Sequence, residues 1–234
     1  MRKKNAIFMN KHLAEYHAII LDVDGTLYSQ PSLRFFMAID LLKFYLSHPL
    51  RMKELFIIKK YRFVRENWAN LASESIRTSF SIEEMQYTYV AEQMNTSPGH
   101  VQELILYWLH KQPLKLIAKY KDSKLIDYMK SLRENGMIIV IYSDYPAKEK
   151  LDALGICPDY VFCSSDVAIN CMKPDPKAMY VILEKLHEIP ENVVMIGDRY
   201  SKDGLAAKNA GMDFIILGKF VSRRISLYQQ LFIR

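Results

Sequence analysis

The stretch Ala18-Ile19-Ile20-Leu21-Asp22-Val23-Asp24-Gly25-Thr26-Leu27 joins an unbroken apolar run to two closely spaced aspartates. Its apolar, β-branched first half predicts a buried strand, and Asp24-Gly25-Thr26 predicts the turn that ends it. A turn there could aim Asp22 and Asp24 at one pocket. Neighbouring carboxylates repel each other unless a cation neutralises them, so a divalent metal is their expected companion. Taken without the rest of the chain, Asp24-Gly25 also fits an ordinary turn, in which Asp22 would be an incidental residue.

Strand-like and helix-like patterns alternate through the second half of the chain. Further apolar runs cover residues 137–142, 160–163, 193–196 and 214–217. Helical patterns cover residues 123–135, 146–154, 176–187 and 202–210, and three of them end at a glycine, namely Gly136, Gly155 and Gly211. This alternation predicts an α/β fold: a Rossmann-like, three-layer arrangement with a mainly parallel sheet and helices on both faces.

The region 32–119 has a different character, since it contains one glycine, Gly99, and only three prolines, Pro49, Pro98 and Pro113. Apolar residues recur there at helical spacing, and Ser81 with Glu84 marks a helix start. The sequence therefore predicts an all-helical insertion over 32–119. The α/β core is expected to comprise 1–31 and 120–234.

Four more polar residues fall at the carboxyl ends of predicted strands or in the loops that follow: Ser143, Lys173, Asp198 and Asp203. Open parallel sheets place their ligand sites at these ends. With Asp22 and Asp24, the set would combine a hydroxyl, an ammonium and four carboxylates. Such a set suits phosphoryl transfer, because carboxylates hold a hard cation, cations neutralise phosphate oxygens, and one carboxylate can attack phosphorus.

In this order, the motifs Asp22-Val23-Asp24-Gly25-Thr26-Leu27, Ser143, Lys173 and Gly197-Asp198 with Asp203 resemble those of the haloacid dehalogenase-like (HAD) superfamily. The resemblance covers roughly residues 15–31 and 120–220, and the helical insertion resembles the family's C1 cap. It implies a phosphatase-type enzyme acting on a small phosphorylated substrate.

Roles for the motif residues follow from the same resemblance. Asp22 is implied as the nucleophile and Asp24 as the general acid/base, while Ser143 and Lys173 are implied as phosphate ligands. The implied cofactor is Mg²⁺.

The metal ligands implied by the resemblance are Asp198, Asp22 and the backbone carbonyl of Asp24. Asp203 is implied either as a support for these groups or as an alternative metal ligand.

Three alternatives share parts of this pattern. A phosphotransferase or phosphomutase would carry the same core residues and pass the phosphoryl group to a second substrate. A non-catalytic member would bind a partner through its cap. A receiver-type phosphoacceptor domain has a similar acidic cluster, but it would be smaller, uncapped, and would carry its acceptor Asp on a later strand.

The formal charge of +6 and pI near 9.0 favour anionic partners. The basic stretch Leu55–Arg62 fits a solvated cap helix or, as the less favoured alternative, a peripheral contact with anionic membranes. Dispersed basic residues argue against nucleic-acid binding. The three cysteines form no Cys-x-x-Cys pair and suggest no disulfide framework. The basic start Met1–Lys4 is followed by an apolar run too short for a signal peptide. Together these features predict a cytoplasmic protein.

Overall fold

The computed structural model describes residues 6–71 and 81–232. The basic start Met1–Lys4 lies outside this part of the chain. The chain divides into two compact units, one formed by Met1–Ser32 and Ile117–Arg234 and the other by Leu33–Leu116. The sequence placed these divisions after residues 31 and 119.

The first unit is built on a six-stranded sheet with the order β1-β6-β5-β2-β3-β4. The strands are β1 Ala6–Phe8, β2 Ala18–Leu21, β3 Ile138–Ser143, β4 Tyr160–Cys163, β5 Val193–Gly197 and β6 Asp213–Ile216. Every strand pair is parallel except β1 with β6. The predicted Rossmann-like α/β fold is confirmed. The antiparallel edge strand β1 was not predicted, because three residues are too few to show a period.

Strand β2 occupies the middle of the sheet, where both faces are covered. All four of its residues are buried, which explains why they form an unbroken apolar run. In the parallel register, Leu21 lies opposite Ile196 of β5 and Ile141 of β3. The loops that follow these three strands therefore begin at the same edge of the sheet.

The second unit is helical throughout its described ranges, 33–71 and 81–116, apart from short turns, as the sequence predicted. Its helices, the first and last of which extend into the other unit, are α1 Gln30–Ser47, α2 Lys53–Glu66, α3 Trp68–Leu71, α4 Ile82–Met94, α5 Pro98–Ile105 and α6 Gln112–Ile117, with a π-helical segment Leu106–Lys111. The predicted start of α4 is confirmed, because Ser81 and Glu84 form a capping box.

The helices of the first unit are α7 Ser123–Glu134, α8 Lys148–Leu154, α9 Lys177–Leu186, α10 Leu205–Asn209 and α11 Ile225–Phe232. The helix expected over 202–210 instead begins as a π-helical turn, Tyr200–Gly204. The sequence predicted that α8 begins at Pro146 and α9 at Pro176. In the structure the two helices begin one or two residues later, at Lys148 and Lys177. Within the described ranges, no helix is both long and apolar enough to cross a membrane.

Candidate active site

Asp22 immediately follows β2 and is buried. Its amide donates a hydrogen bond to the carbonyl of Ile196, 2.9 Å away, which ties the residue to β5. The hydroxyl of Thr26 donates to Asp22 Oδ2 over 3.1 Å. The chain thus turns back on itself within five residues, and the turn holds one carboxylate oxygen.

Three of the four predicted carboxylates form a cluster. Asp22, Asp198 and Asp203 each supply an oxygen, and these three oxygens lie within 4.8 Å of one another. Asp198 follows β5, and Asp203 lies in the π-helical turn. Several carboxylate oxygens gathered in this way match what a hard divalent cation requires.

Two glycines make the cluster sterically feasible. Gly25 has a φ of +97°, and a Cβ there would lie 2.5 Å from Asp198 Oδ2. A Cβ on Gly197 would lie 2.3 Å from the Asp203 side chain. Both positions therefore need a residue without a side chain, and Gly25 also needs one that tolerates a left-handed backbone.

Lys173 joins two members of the cluster. Its buried ammonium donates to Asp22 Oδ1 over 2.6 Å and to Asp203 Oδ1 over 2.7 Å. The backbone carbonyl of Lys173 accepts a hydrogen bond from Lys202 Nζ, and its amide donates to Asp144 Oδ1. The lysine is consequently fixed at both its backbone and its ammonium end.

Burial governs the protonation of the cluster. It raises the pKa of Asp22 to about 8, an effect that Lys173 opposes and that Asp203 and Asp198 reinforce. Burial and the Asp203 charge raise the pKa of Asp198 to about 6. Burial disfavours the Lys173 ammonium, but Asp203, Asp22 and Asp144 together hold the pKa of Lys173 well above its usual range. One lysine is thus too little charge to keep all three carboxylates ionised at neutral pH.

These raised pKa values predict a pH-dependent response to Mg²⁺. The folded cluster holds protons that the unfolded chain has lost, so its contribution to stability falls as pH rises from about 4 toward 8. A bound cation would remove the repulsion between the ionised carboxylates of the cluster. Protons would compete with the cation for the same carboxylate oxygens at low pH. We expect Mg²⁺ to raise the melting temperature more at pH 8 than at pH 5, and Asp198→Asn to reduce this difference. An equal rise at both pH values would contradict the prediction.

The Asp24 carboxylate has a different environment from that of Asp22. Lys150 Nζ, on α8, donates to both Asp24 oxygens at 2.7 and 2.8 Å, and the hydroxyl of Tyr28 donates to Oδ1. Lys150 is itself buried. Neither residue was predicted from the sequence: only the fold brings Lys150 of α8 to this loop, and Tyr28, four residues after Asp24, belongs to no recognisable motif.

Ser143 ends β3 and is fully buried. Its hydroxyl accepts a hydrogen bond from the amide of Tyr145, 3.1 Å away, so the chain turns directly after it. The adjacent Asp144 accepts from the hydroxyl of Ser164 and from the amide of Lys173. Asp144, which the sequence analysis did not single out, therefore links the β3 loop to the loop carrying Lys173.

A buried arginine near the C-terminal end supports the turn after Asp22. Arg224 donates to the carbonyls of Gly25, Thr26 and Gly218 and, over 3.0 Å, to Asp122 Oδ2. The hydroxyl of Tyr228 donates to the same Asp122 oxygen. No sequence pattern separates Arg224 from its neighbour Arg223, so this role emerges only from the fold.

Replacing Arg224 by Ala should destabilise the protein and lower its turnover. The change leaves the Asp122 charge and two turn carbonyls without the guanidinium, and removing one partner of a buried ion pair costs about 3–5 kcal/mol. Urea unfolding would measure the loss. Arg223→Ala is the matched control, because Arg223 is exposed. Equal stabilities for the two variants would show that Arg224 does not support the turn.

Comparison with known proteins identifies the family. The family model for haloacid dehalogenase-like hydrolases matches residues 16–211, whereas no curated protein sequence matches the chain. The matched range contains the Asp22 turn, Lys173 and the three-carboxylate cluster. Arg224 lies beyond it.

Solved structures with similar folds include the defluorinating L-2-haloacid dehalogenase Rha0230, with a TM-score of 0.58 at 16% identity over 89% of this chain and 84% of that chain. YfnB from Bacillus subtilis, solved bound to magnesium, has a TM-score of 0.57 at 12% identity, and the match covers 94% of this chain and 100% of that chain. The L-2-haloacid dehalogenase from Xanthobacter autotrophicus has a TM-score of 0.56 at 16% identity, and the match covers 85% of this chain and 76% of that chain. At these identities the likeness concerns the fold. The family match spans well over half of the residues, and the protein belongs to the haloacid dehalogenase-like hydrolases.

Proposed function

We propose that the protein is a magnesium-dependent phosphatase that hydrolyses a small phosphomonoester through an aspartyl-phosphate on Asp22. The observation that carries this proposal is the cluster of Asp22, Asp198 and Asp203, in which the buried ammonium of Lys173 contacts Asp22 and Asp203. A nucleophilic carboxylate beside a cation site is the arrangement that attack on an anionic phosphoryl group requires.

The residues present fit Mg²⁺. Their donors are hard carboxylate oxygens, and burial, reinforced by the neighbouring carboxylates, raises the pKa values of Asp22 and Asp198. Asp22, Asp198 and the backbone carbonyl of Asp24 would hold the ion, with Asp203 as support or as a further ligand. The ion would keep the carboxylates ionised and neutralise charge on the phosphoryl oxygens.

Two steps follow for the residues of the chain. A carboxylate oxygen of Asp22 attacks phosphorus, the bond to the leaving oxygen breaks, and Asp24 gives that oxygen a proton. Asp24 then removes a proton from water, which attacks phosphorus and releases Asp22. Lys173 and Ser143 would bind phosphoryl oxygens throughout. For this chemistry Asp24 must exchange its contact with Lys150 for one with the leaving group.

Dehalogenation suits this site less well, although two of the similar folds belong to L-2-haloacid dehalogenases. A halide leaves as an anion without needing a proton, so Asp24 would have no function as an acid. A phosphomonoester carries up to two negative charges and needs the cation that the three carboxylates would hold, whereas a 2-haloacid carries one negative charge and gives that cation site no role.

A panel of phosphomonoesters and 2-haloacids, assayed with Mg²⁺ and with chelator, tests the proposal. We expect Mg²⁺-dependent phosphate release without any added acceptor. Product formation only when an acceptor hydroxyl is supplied would favour the phosphotransferase alternative. Halide release, or phosphate release unchanged by chelation, would contradict the proposal.

A further inference from the structure

The helical unit carries apolar side chains outward on α2. The inward face of this helix is buried through Ile57, Ile58 and Val64, so its packing is already satisfied. On the opposite side, Phe56 is 62% exposed and Phe63 is 57% exposed. Two outward phenylalanines on one helix need an explanation beyond the folding of the unit.

Apolar side chains are also exposed in the preceding turn and on α1. Leu50, in the turn between the helices, is 98% exposed, and Met52 beside it is 40% exposed. Along α1, Phe35, Leu42 and Leu46 are exposed at spacings of seven and four residues, which place them on one side of the helix. An apolar stripe therefore runs along α1 toward Leu50.

Basic residues accompany these apolar groups. Residues 34–63 contain seven Lys and Arg but only two acidic residues. One of the two, Glu54, is buried and accepts hydrogen bonds from Tyr45 and Arg51. Lys53, Lys59 and Arg62 are exposed on the same outward side of α2 as Phe56 and Phe63. The outward charge of this segment is thus strongly positive.

We propose that this surface docks the protein on an anionic lipid bilayer. We call it the basic-apolar face and define it by Leu42, Leu46, Leu50, Arg51, Met52, Lys53, Phe56, Lys59, Arg62 and Phe63. Apolar side chains would enter the headgroup boundary, while the long basic side chains would reach lipid phosphates alongside them.

The composition of the face favours a bilayer over other partners. Lysine is depleted in the cores of protein interfaces, yet Lys53 and Lys59 are exposed on the same side of α2 as Phe56 and Phe63. Nucleic acid would account for the positive charge but not for an aliphatic tip such as Leu50. A bilayer with anionic headgroups accounts for both properties at once.

Vesicle co-sedimentation of the full chain provides the test. Vesicles of phosphatidylcholine with about 30% phosphatidylserine should pellet at least about tenfold more protein than pure phosphatidylcholine at low salt, and about 0.5 M salt should abolish the difference. Equal sedimentation with both vesicle types, or none with either, would overturn the proposal.

Paired variants separate the face from net charge. Lys53→Glu with Lys59→Glu, and separately Leu50→Ser with Phe56→Ser, should each reduce binding about tenfold or more. Lys185→Glu with Lys208→Glu makes the same charge change on exposed positions of α9 and α10, and should keep binding within about twofold. Equal losses for the two charge-reversal pairs would refute a specific face.

Two controls accompany these variants. Melting temperature and turnover of a soluble aryl phosphate should stay unchanged, because every substituted side chain is exposed. Light scattering would detect the competing arrangement, a second copy of the chain on the same face. A dimer that Leu50→Ser with Phe56→Ser dissociates, without vesicle binding by the unchanged protein, would overturn the bilayer assignment.

Discussion

Asp22→Asn should lower turnover by about 10⁴-fold to 10⁶-fold on every phosphate ester, since the amide cannot attack phosphorus. The loss should appear in kcat, and no phosphorylated protein should form with any substrate. The Asn side-chain carbonyl can still accept from Lys173 while its amide NH₂ donates to the Thr26 hydroxyl, so we expect the fold to persist. Steady-state kinetics and intact-mass measurement would check both expectations.

Asp152→Asn is the matched control, because it makes the same change at an exposed position of α8. It should leave turnover within about twofold. Substantial activity in a folded Asp22→Asn protein would remove Asp22 from the nucleophile role and with it the proposed mechanism.

Lys173→Met should have the second large effect. The substitution keeps an unbranched side chain but removes the ammonium that lies 2.6 Å from Asp22 and 2.7 Å from Asp203. Removing one partner of a buried ion pair costs about 3–5 kcal/mol, and the cost should be greater at pH 8 than at pH 5, because more carboxylates are then ionised. Turnover should fall by about 10²-fold to 10³-fold through lost stabilisation of the transferring group.

Urea unfolding in chelator at the two pH values measures the stability change. The control is Lys185→Met, on the exposed side of α9. A Lys173→Met protein as stable as this control at pH 8 would show that the ammonium does not hold the cluster together.

The strand pattern was readable from the sequence because buried parallel strands are apolar on both faces. Ala18–Leu21 and Val193–Gly197 are examples whose observed bounds match or nearly match the apolar runs. The meeting of Asp22, Asp198 and Asp203 could also be predicted from the sequence, since the ends of parallel strands determine where such residues meet. The π-helical turn at Tyr200–Gly204 could not be predicted, because apolar periodicity does not distinguish a π-helical turn from an α-helix.

The groups that position the motif residues could not be found in the same way. Lys150 lies on α8, far along the chain from Asp24, and Arg224 reaches the Gly25-Thr26 turn across nearly the whole sequence. Neither belongs to a local motif. Their roles depend on tertiary contacts, which composition and spacing do not encode for single residues.

Trapping the phosphorylated enzyme in an Asp24→Ala protein would test the aspartyl-phosphate mechanism on Asp22 directly. This variant keeps Asp22, Lys173 and the backbone carbonyl at position 24, but it lacks the proposed acid and base. An acyl phosphate or aryl phosphate, whose leaving group needs little protonation, should still phosphorylate it. Hydrolysis of the intermediate should slow by about 10²-fold to 10⁴-fold.

Rapid quench followed by mass spectrometry of peptides is the measurement. We expect a phosphoryl group to accumulate on the peptide containing Asp22, and we expect adding Asp22→Asn to the same protein to abolish it. Phosphate on another residue, or no phosphorylated protein while the Asp24→Ala variant still turns over esters with poor leaving groups, would contradict the mechanism.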